Sequence, residues 1–498
     1  MVKRSFGQGR RTKIVCTIGP ATQERGQLEA LIDAGMDVAR LNFSHGEPEW
    51  HRRTVALIRA ISAARNHPIG VMLDIPGPKL RLGEIPDGPI FLDSGSAVRL
   101  VAGDSPGDAD EISVNYASLA DELEPADRIF VGDGDVELEV ESIHNNAVHC
   151  RVISGGPVSS HKGMNFPTRT LSLPTITPAD REAIALGVTA GVDFVALSFV
   201  RSGADVELAH SVILEHGGNL PVIAKIEKHE AMQNLDEIIE QSDGLLVARG
   251  DLAVEIPLEE VPRAQKRIIR SANAAGKPVI TATQMLRSMV SATRPTRAET
   301  TDVANALYDG TDAVMLSEET AVGSNPVGAV NIMRRICIAT ERDMERPEVD
   351  RKLPTERRDS VPHVVAAAAA LVARLLDVAA ILVPTRTGST AIKMAEFRPR
   401  QPILAISTHP VTVGRLTLTW GVIPLLGNEV PTHEAMLAEA EATAREGELL
   451  HEGDLVVITA GFPVGGPGTT NTVTVKAIGE DLAVGGWDQR PLFADSSD

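Results

Sequence analysis

The sequence predicts an α/β protein: a (β/α)8 TIM barrel, carrying an inserted small all-β barrel domain and followed by an open α/β domain. Three observations predict it. Eight short apolar runs alternate with amphipathic helical patterns. One long gap in that alternation is filled by runs of period two. A second, shorter α/β alternation follows a charged, polar stretch near residue 350.

The apolar runs are residues 12–18, 36–42, 68–74, 192–198, 221–227, 243–249, 278–283 and 312–317. Near-continuous hydrophobic strands separated by helices indicate a parallel sheet covered on both faces, and eight units suffice to close it. An open doubly wound sheet is the competing arrangement. Helical patterns cover residues 27–34, 49–64, 179–190, 206–216, 231–240, 258–275 and 298–308. In the gap, residues 97–102, 111–114, 128–131, 136–143 and 147–153 alternate between Gly, Asp and Asn punctuation, as half-buried strands do. Pro76-Gly77-Pro78 is the stiff exit and Asn165-Phe166-Pro167 the return. An insert joined by two adjacent strands can swing as a lid and exclude water. Beyond the barrel, a helix is expected at 361–376 and strands at 380–384, 402–407, 421–426 and 455–459. The expected domains are 1–77 with 172–345 (barrel), 78–171 (lid), 346–359 (linker), 360–479 (C-terminal) and 480–498 (tail).

Composition narrows the function. The chain has 498 residues, and Lys+Arg 48 against Asp+Glu 67 leaves a net charge of −19. That field disfavours nucleic acid and anionic membrane as partners. No run of about 18 apolar residues occurs, and no apolar stretch follows the basic N-terminus, so a cytoplasmic location is expected. Cys16, Cys150 and Cys337 are scattered without metal spacing and read as buried reduced thiols.

Barrel active sites lie at the C-terminal strand ends. Those ends carry Arg40, Asn42, Ser44, Asp74, Ser198, Arg201, Lys225, Glu227, Asp251, Thr283, Ser317 and Glu319. Helix capping could account for Ser44, Thr283 or Ser317 singly. It does not account for Arg40, Lys225, Glu227 and Asp251 converging at one mouth. In residues 221–227 (PVIAKIE) the side chains alternate, so Lys225 and Glu227 point the same way. Gly250 is expected to turn the backbone sharply and leave room beside Asp251. Two carboxylates, a lysine and a small-residue turn suit Mg²⁺ and phosphate. A structural ion pair is the alternative for Lys225 and Glu227 taken alone.

Residues 13–20 (KIVCTIGP), 37–45 (DVARLNFSH), 222–227 (VIAKIE), 247–254 (VARGDLAV), 282–286 (ATQML) and 294–305 (RPTRAETTDVAN) resemble the signatures of the pyruvate kinase family. They span the barrel in order, with the insert in the family's place. The resemblance implies phosphoryl transfer from phosphoenolpyruvate to ADP, with Mg²⁺ (or Mn²⁺) on Glu227 and Asp251. It implies Lys225 beside the transferring group, Arg40 on the phosphate, and Gly250, Asp251 and Thr283 on the carboxylate. Asn42, Phe43, Ser44, His45, Arg81 and Lys162 match its nucleotide positions. The enolate proton is expected through a water chain reaching Ser317 and Glu319. Family members are usually tetrameric. A Mg²⁺-dependent lyase acting on 2-oxo acids, or a non-catalytic sugar-phosphate sensor, are the alternatives.

Four departures stand out. Many members hold K⁺ with positions matching Asn42, Ser44, Asp74 and the Ile75 carbonyl, and carry Glu where this chain has Lys79. A fixed ammonium can replace the ion, so K⁺ is expected to be dispensable. Glu318 stands where Gly is usual, next to the expected proton route. His67 replaces an Arg that touches nucleotide in some members. Pro76 stiffens the hinge where Gln or Lys is common. In the C-terminal unit, Thr385, Arg386, Thr387, Gly388, Ser389 and Thr390 open a helix and could cradle an effector phosphate. The Gly-rich loop 461–471 lacks Arg and Lys, which favours a monophosphate, from a sugar or a nucleotide, over a bisphosphate.

Overall fold

The computed structural model describes residues 9–86, 88–344, 360–461 and 470–480. The expected linker and tail, and most of the loop 461–471, lie outside these residues.

Eight parallel strands close into a barrel: Lys13–Thr17, Val38–Asn42, Gly70–Ile75, Phe194–Leu197, Val222–Ile226, Gly244–Ala248, Val279–Ala282 and Ala313–Leu316. Each pairs with its neighbours in chain order, and the first pairs with the last, Lys13 opposite Ala313. Alternate residues serve two cores. Ile14 and Cys16 pack outward against the helices. Val15, Val38, Met72, Phe194, Ile223, Leu246, Ile280 and Met315 fill the lumen. Burial on both faces is why these strands read as unbroken apolar runs.

The helices between them follow the predicted pattern with local breaks. The expected helix 231–240 is split by Asn234 into His229–Gln233 and Leu235–Gln241. Thr177 caps Pro178–Ala190 in a reciprocal box with Asp180. The same Asp180 accepts from the Gly77 amide at 3.0 Å, which fixes the start of the insert.

The insert is a curled sheet of six strands with a two-stranded ribbon, wrapped around its own core that includes Leu100, Ile129, Leu138 and Val148. The five expected runs appear as Ala97–Ala102, Glu111–Val114, Arg128–Val131, Val136–His144 and Ala147–Ser154. Ile90–Leu92, Gly156–Val158 and Met164–Asn165 were too short to show an alternation. The two connecting segments lie side by side: Leu82 N–H donates to Lys162 O at 2.9 Å and Met164 N–H to Leu80 O at 3.0 Å.

The C-terminal sheet orders Val422–Leu426, Ile403–Ser407, Ala380–Pro384 and Leu455–Gly461 in parallel. Thr470–Ala477 adds an antiparallel edge. This unit closes the floor of the barrel. Leu418 enters the lumen cluster. Lys13 Nζ donates to Val422 O at 2.6 Å, and Arg398 pairs with Asp312 at 2.7 Å while lying over Trp420. Cys16, Cys150 and Cys337 are free and buried, and burial pushes their thiols up, Cys150 to about 12. No helix among the described residues is long and apolar enough to cross a membrane.

Candidate active site

Lys225 sits at the centre of the barrel mouth. Its ammonium lies 2.9 Å from Glu227 Oε1 and 3.3 Å from Asp74 Oδ1, and donates to Ser198 Oγ at 2.7 Å. Lys225 and Glu227 therefore do share a side of their strand. Asp74 also accepts from Arg40 Nε at 2.6 Å, and Arg40 Nη1 donates to Thr17 Oγ1 at 2.9 Å. Four neighbouring strand ends, from the second to the fifth, thus lock two cations around one carboxylate, with Ser198 between Asp74 and Lys225.

Burial opposes charge on Lys225, Asp74 and Glu227. For Lys225 the carboxylates of Asp74 and Glu227 outweigh it and raise the ammonium well above its usual range. For Asp74, Arg40 and Lys225 outweigh burial and hold the carboxyl below the carboxylate range. Glu227 differs. Burial and the facing Asp251 push it up, against the pull of Lys225 and of the Phe199 N–H at 2.8 Å. Glu227 and Asp251 repel each other, and their oxygens are the hard donors that a divalent ion prefers. The donor set fits such an ion.

Gly250 and Asp251 lie in the first turn of the helix Arg249–Glu255. The expected sharp glycine turn is corrected here: Gly250 is absent from the left-handed residues, and an added Cβ would meet Thr283 only at ordinary contact distances of 3.7 Å. The strain lies across from it. Thr283 and Gln284 adopt φ of 65° and 54°. That turn is clamped by Arg249, which donates to Ala282 O at 3.0 Å and Thr283 O at 2.7 Å and pairs with Asp302 at 2.7 Å. It brings Thr283 Oγ1 to 2.9 Å from the Gly250 N–H. The helix is held in turn by Glu255, which takes Lys228 at 2.6 Å and His229 at 3.1 Å. Arg249, Lys228, His229 and Glu255 went unassigned in the sequence; their partners are remote in the chain, so only the folded geometry reveals them.

Glu319 is buried, and both oxygens are engaged by backbone: Leu286 N–H at 3.0 Å and Ser317 N–H at 2.7 Å. It ties the exit of the eighth strand to the Thr283 loop. Glu318 turns outward to pair with Arg287, both about half exposed, so its charge leaves the mouth. His67 is a correction. It precedes the third strand, Gly70–Ile75, and lines a pocket at the barrel floor with Arg10, Lys13 and Pro424, at the opposite end from the nucleotide positions. The direction of the strand decides this.

Of the nucleotide positions, Asn42 ends the second strand and Phe43, Ser44 and His45 form the turn after it. Asn42 Oδ1 accepts from Ser44 N–H at 3.1 Å, and Phe43 stacks on His51 at 3.9 Å. Arg81 and Lys162 lie on the insert's adjoining segments; Arg81 donates to His161 O at 3.0 Å and Lys162 is exposed. Within the K⁺ quartet, the Ile75 carbonyl accepts from Ser198 Oγ at 2.7 Å. Lys79 reaches Asp251 Oδ1 at 3.6 Å. Arg201 holds the insert's return through Leu171 O at 3.0 Å and Leu173 O at 2.9 Å. In the C-terminal loop, Gly388 takes φ of 86° and its N–H donates to Thr385 Oγ1 at 3.0 Å. Thr390 is buried against Thr470 at 2.5 Å, so it faces the sheet rather than an effector.

A family model described as "Pyruvate kinase, barrel domain" matches residues 9–330, and one described as "Pyruvate kinase, alpha/beta domain" matches residues 363–476. The chain belongs to the pyruvate kinase family. It is 46% identical over 479 residues to pyruvate kinase 2 of Synechocystis, across 94% of this chain and 79% of that one. It is 44% identical to the pyruvate kinase of Mycobacterium intracellulare, across 95% and 99%. A solved pyruvate kinase from Cryptosporidium parvum superposes with a TM-score of 0.86 at 37% identity, covering 94% of this chain and 96% of that one. As a pyruvate kinase, the chain transfers the phosphoryl group of phosphoenolpyruvate to ADP in glycolysis, with a divalent metal ion. Neither the lyase nor the sensor reading is supported by these relatives.

Proposed function

We propose that the pyruvate kinase reaction runs at the barrel mouth with Lys225 as its central electrophile. The observation that supports this most is the Lys225 ammonium, held between Asp74 and Glu227 and kept protonated by them. Phosphoryl transfer needs charge neutralisation and positioning more than covalent help. Lys225 faces the oxygen on which charge grows as the phosphoryl leaves. Arg40, oriented by Asp74 and Thr17, binds the phosphoryl oxygens with its planar fork. The N–H groups of Gly250 and Asp251, with Thr283 Oγ1, orient the substrate carboxylate. Mg²⁺ or Mn²⁺ would be held by Glu227 and Asp251 and would neutralise the phosphoryl and enolate oxygens when bound. Asn42, Phe43, Ser44, His45, Arg81 and Lys162 receive the nucleotide, the last two from the lid. The proton that turns the enolate into pyruvate comes through water near Thr283 and Ser317. Glu319 is better suited to hold that loop than to pass the proton, because each oxygen already accepts a backbone N–H.

Lys79 keeps a fixed positive charge at the mouth, which favours activity without K⁺ at the Asn42, Ser44, Asp74 and Ile75 positions. A coupled assay of pyruvate formation tests both readings. Turnover should require ADP and a divalent ion, and proceed at near-full rate in buffers free of Na⁺ and K⁺. Strong stimulation by added K⁺ would sink the second reading. The same assay, titrated with sugar phosphates and nucleoside monophosphates, tests residues 385–389 as the effector loop; no response to any of them would remove it.

A homotetramer is proposed as well. Val361, Val364, Leu371 and Leu375 lie on one face of the helix Val361–Leu375 and are 60%, 42%, 46% and 68% exposed. Spacings of three, seven and four residues make that face a continuous apolar stripe, which another subunit would cover. The double change L371E/L375E should lower the mass found by light scattering. An unchanged mass would place the contact elsewhere.

A further inference from the structure

We infer that Lys79 is a latch: it occupies the metal carboxylate Asp251 when no divalent ion is bound, and its release by the ion loosens the root of the lid. The inference rests on the reading of Asp251 as a metal ligand.

Four observations converge on it. Among the described residues, Lys79 is the one side-chain cation within ion-pair distance of Asp251, at 3.6 Å. Glu227 is already engaged by Lys225 and is buried, whereas the Asp251 side chain is 31% exposed and open to exchange. Lys79 belongs to the lid's outgoing segment, just past Gly77, whose amide is pinned to the barrel by Asp180. The lysine stem crosses the returning segment at Gly163, where a Cβ would stand 2.8 Å from Lys79 Cε. The side chain therefore runs from the lid's two roots to the barrel helix that carries Asp251.

The electrostatic bookkeeping supports an exchange. Without an ion, two ammonium groups answer the two carboxylates, Lys225 on Glu227 and Lys79 on Asp251. A divalent ion on Asp251 and the Lys79 ammonium 3.6 Å from it would be like charges competing for one carboxylate. Ion binding there would push the Lys79 ammonium away from Asp251, and its stem would keep that charge tethered at the mouth. One residue then does two things in sequence. It screens the empty site, and afterwards it supplies the fixed positive charge proposed above to replace K⁺. Cutting the tie also removes one of the contacts that hold the lid's exit against the barrel, so lid movement becomes linked to metal occupancy.

The test uses Mn²⁺ as the probe, in the absence of substrates. Free Mn²⁺ is counted by electron paramagnetic resonance for the full-length protein and for K79M. For a pair as exposed as this one, removing the competitor should tighten Mn²⁺ binding by about two- to fivefold. Hydrogen exchange is followed in parallel for a peptide covering residues 79–82, whose Leu82 amide is bonded to Lys162 O. In the natural protein Mn²⁺ should speed that exchange; in K79M exchange should already be fast and insensitive to Mn²⁺. Unchanged or weaker Mn²⁺ binding by K79M overturns the competition, and exchange that ignores Mn²⁺ in the natural protein overturns the link to the lid. D251N is measured alongside. If it binds Mn²⁺ as the natural protein does, the metal assignment itself fails. If it loses Mn²⁺ while K79M is unaltered, only the latch fails.

Discussion

Lys225→Met should abolish phosphoryl transfer without weakening Mn²⁺ binding. The methionine keeps the stem and removes the ammonium. At about 4 Å and an effective dielectric near 20, one charge pair is worth roughly 4 kcal/mol. Felt mainly in the transition state, that is about three powers of ten in rate. Glu227 and Asp251 remain, and Glu227 loses the cation that competes for its oxygens. Metal affinity should therefore hold or rise. Steady-state assay and Mn²⁺ titration on the same preparation separate the two effects. Retention of more than about a tenth of the activity is incompatible with an electrostatic term of that size.

Glu319→Gln should cost about a hundredfold in kcat, the scale at which a slightly misplaced catalytic group is felt. One amide oxygen can still accept a backbone N–H, but the NH₂ must face the other. That buried donor loses its partner, at about 1–3 kcal/mol of stability. The loop bearing Thr283 and the turn at Ser317 then lose their common anchor. Because the residue positions rather than relays, phosphoryl transfer and exchange of the pyruvate methyl protons with deuterated solvent should slow together, and Tm should fall. A proton relay makes a different pattern: methyl exchange collapses, transfer to ADP is largely spared, and Tm is unmoved. Observing that pattern would restore Glu319 to the proton path.

Much of this molecule could be read before it was seen, for identifiable reasons. Strands buried on both faces betray themselves as unbroken apolar runs, and all eight barrel strands are of that kind. The edge strand Thr470–Ala477 is half exposed and antiparallel, so its alternating Thr and Val form no such run. Strand-end chemistry was equally legible, since Lys225 and Glu227 share a face by simple alternation. What the sequence could not convey was direction and anchorage. His67 sits near a strand that does lead to the mouth, but at the wrong end of it. Gly250 looked like a turn because glycines often are, whereas the strained turn belongs to Thr283 and Gln284. Glu319 looked like an acid because carboxylates at a mouth often are, and only its two backbone partners reveal a brace.

Leu418 lies far downstream of the last barrel strand, yet it fills the lumen beside Val15, Val38 and Met72. During synthesis the ribosome must therefore deliver nearly the whole polypeptide before the catalytic domain can seal its interior. A nascent chain halted after Leu316 would have every strand of the barrel and still lack its stopper.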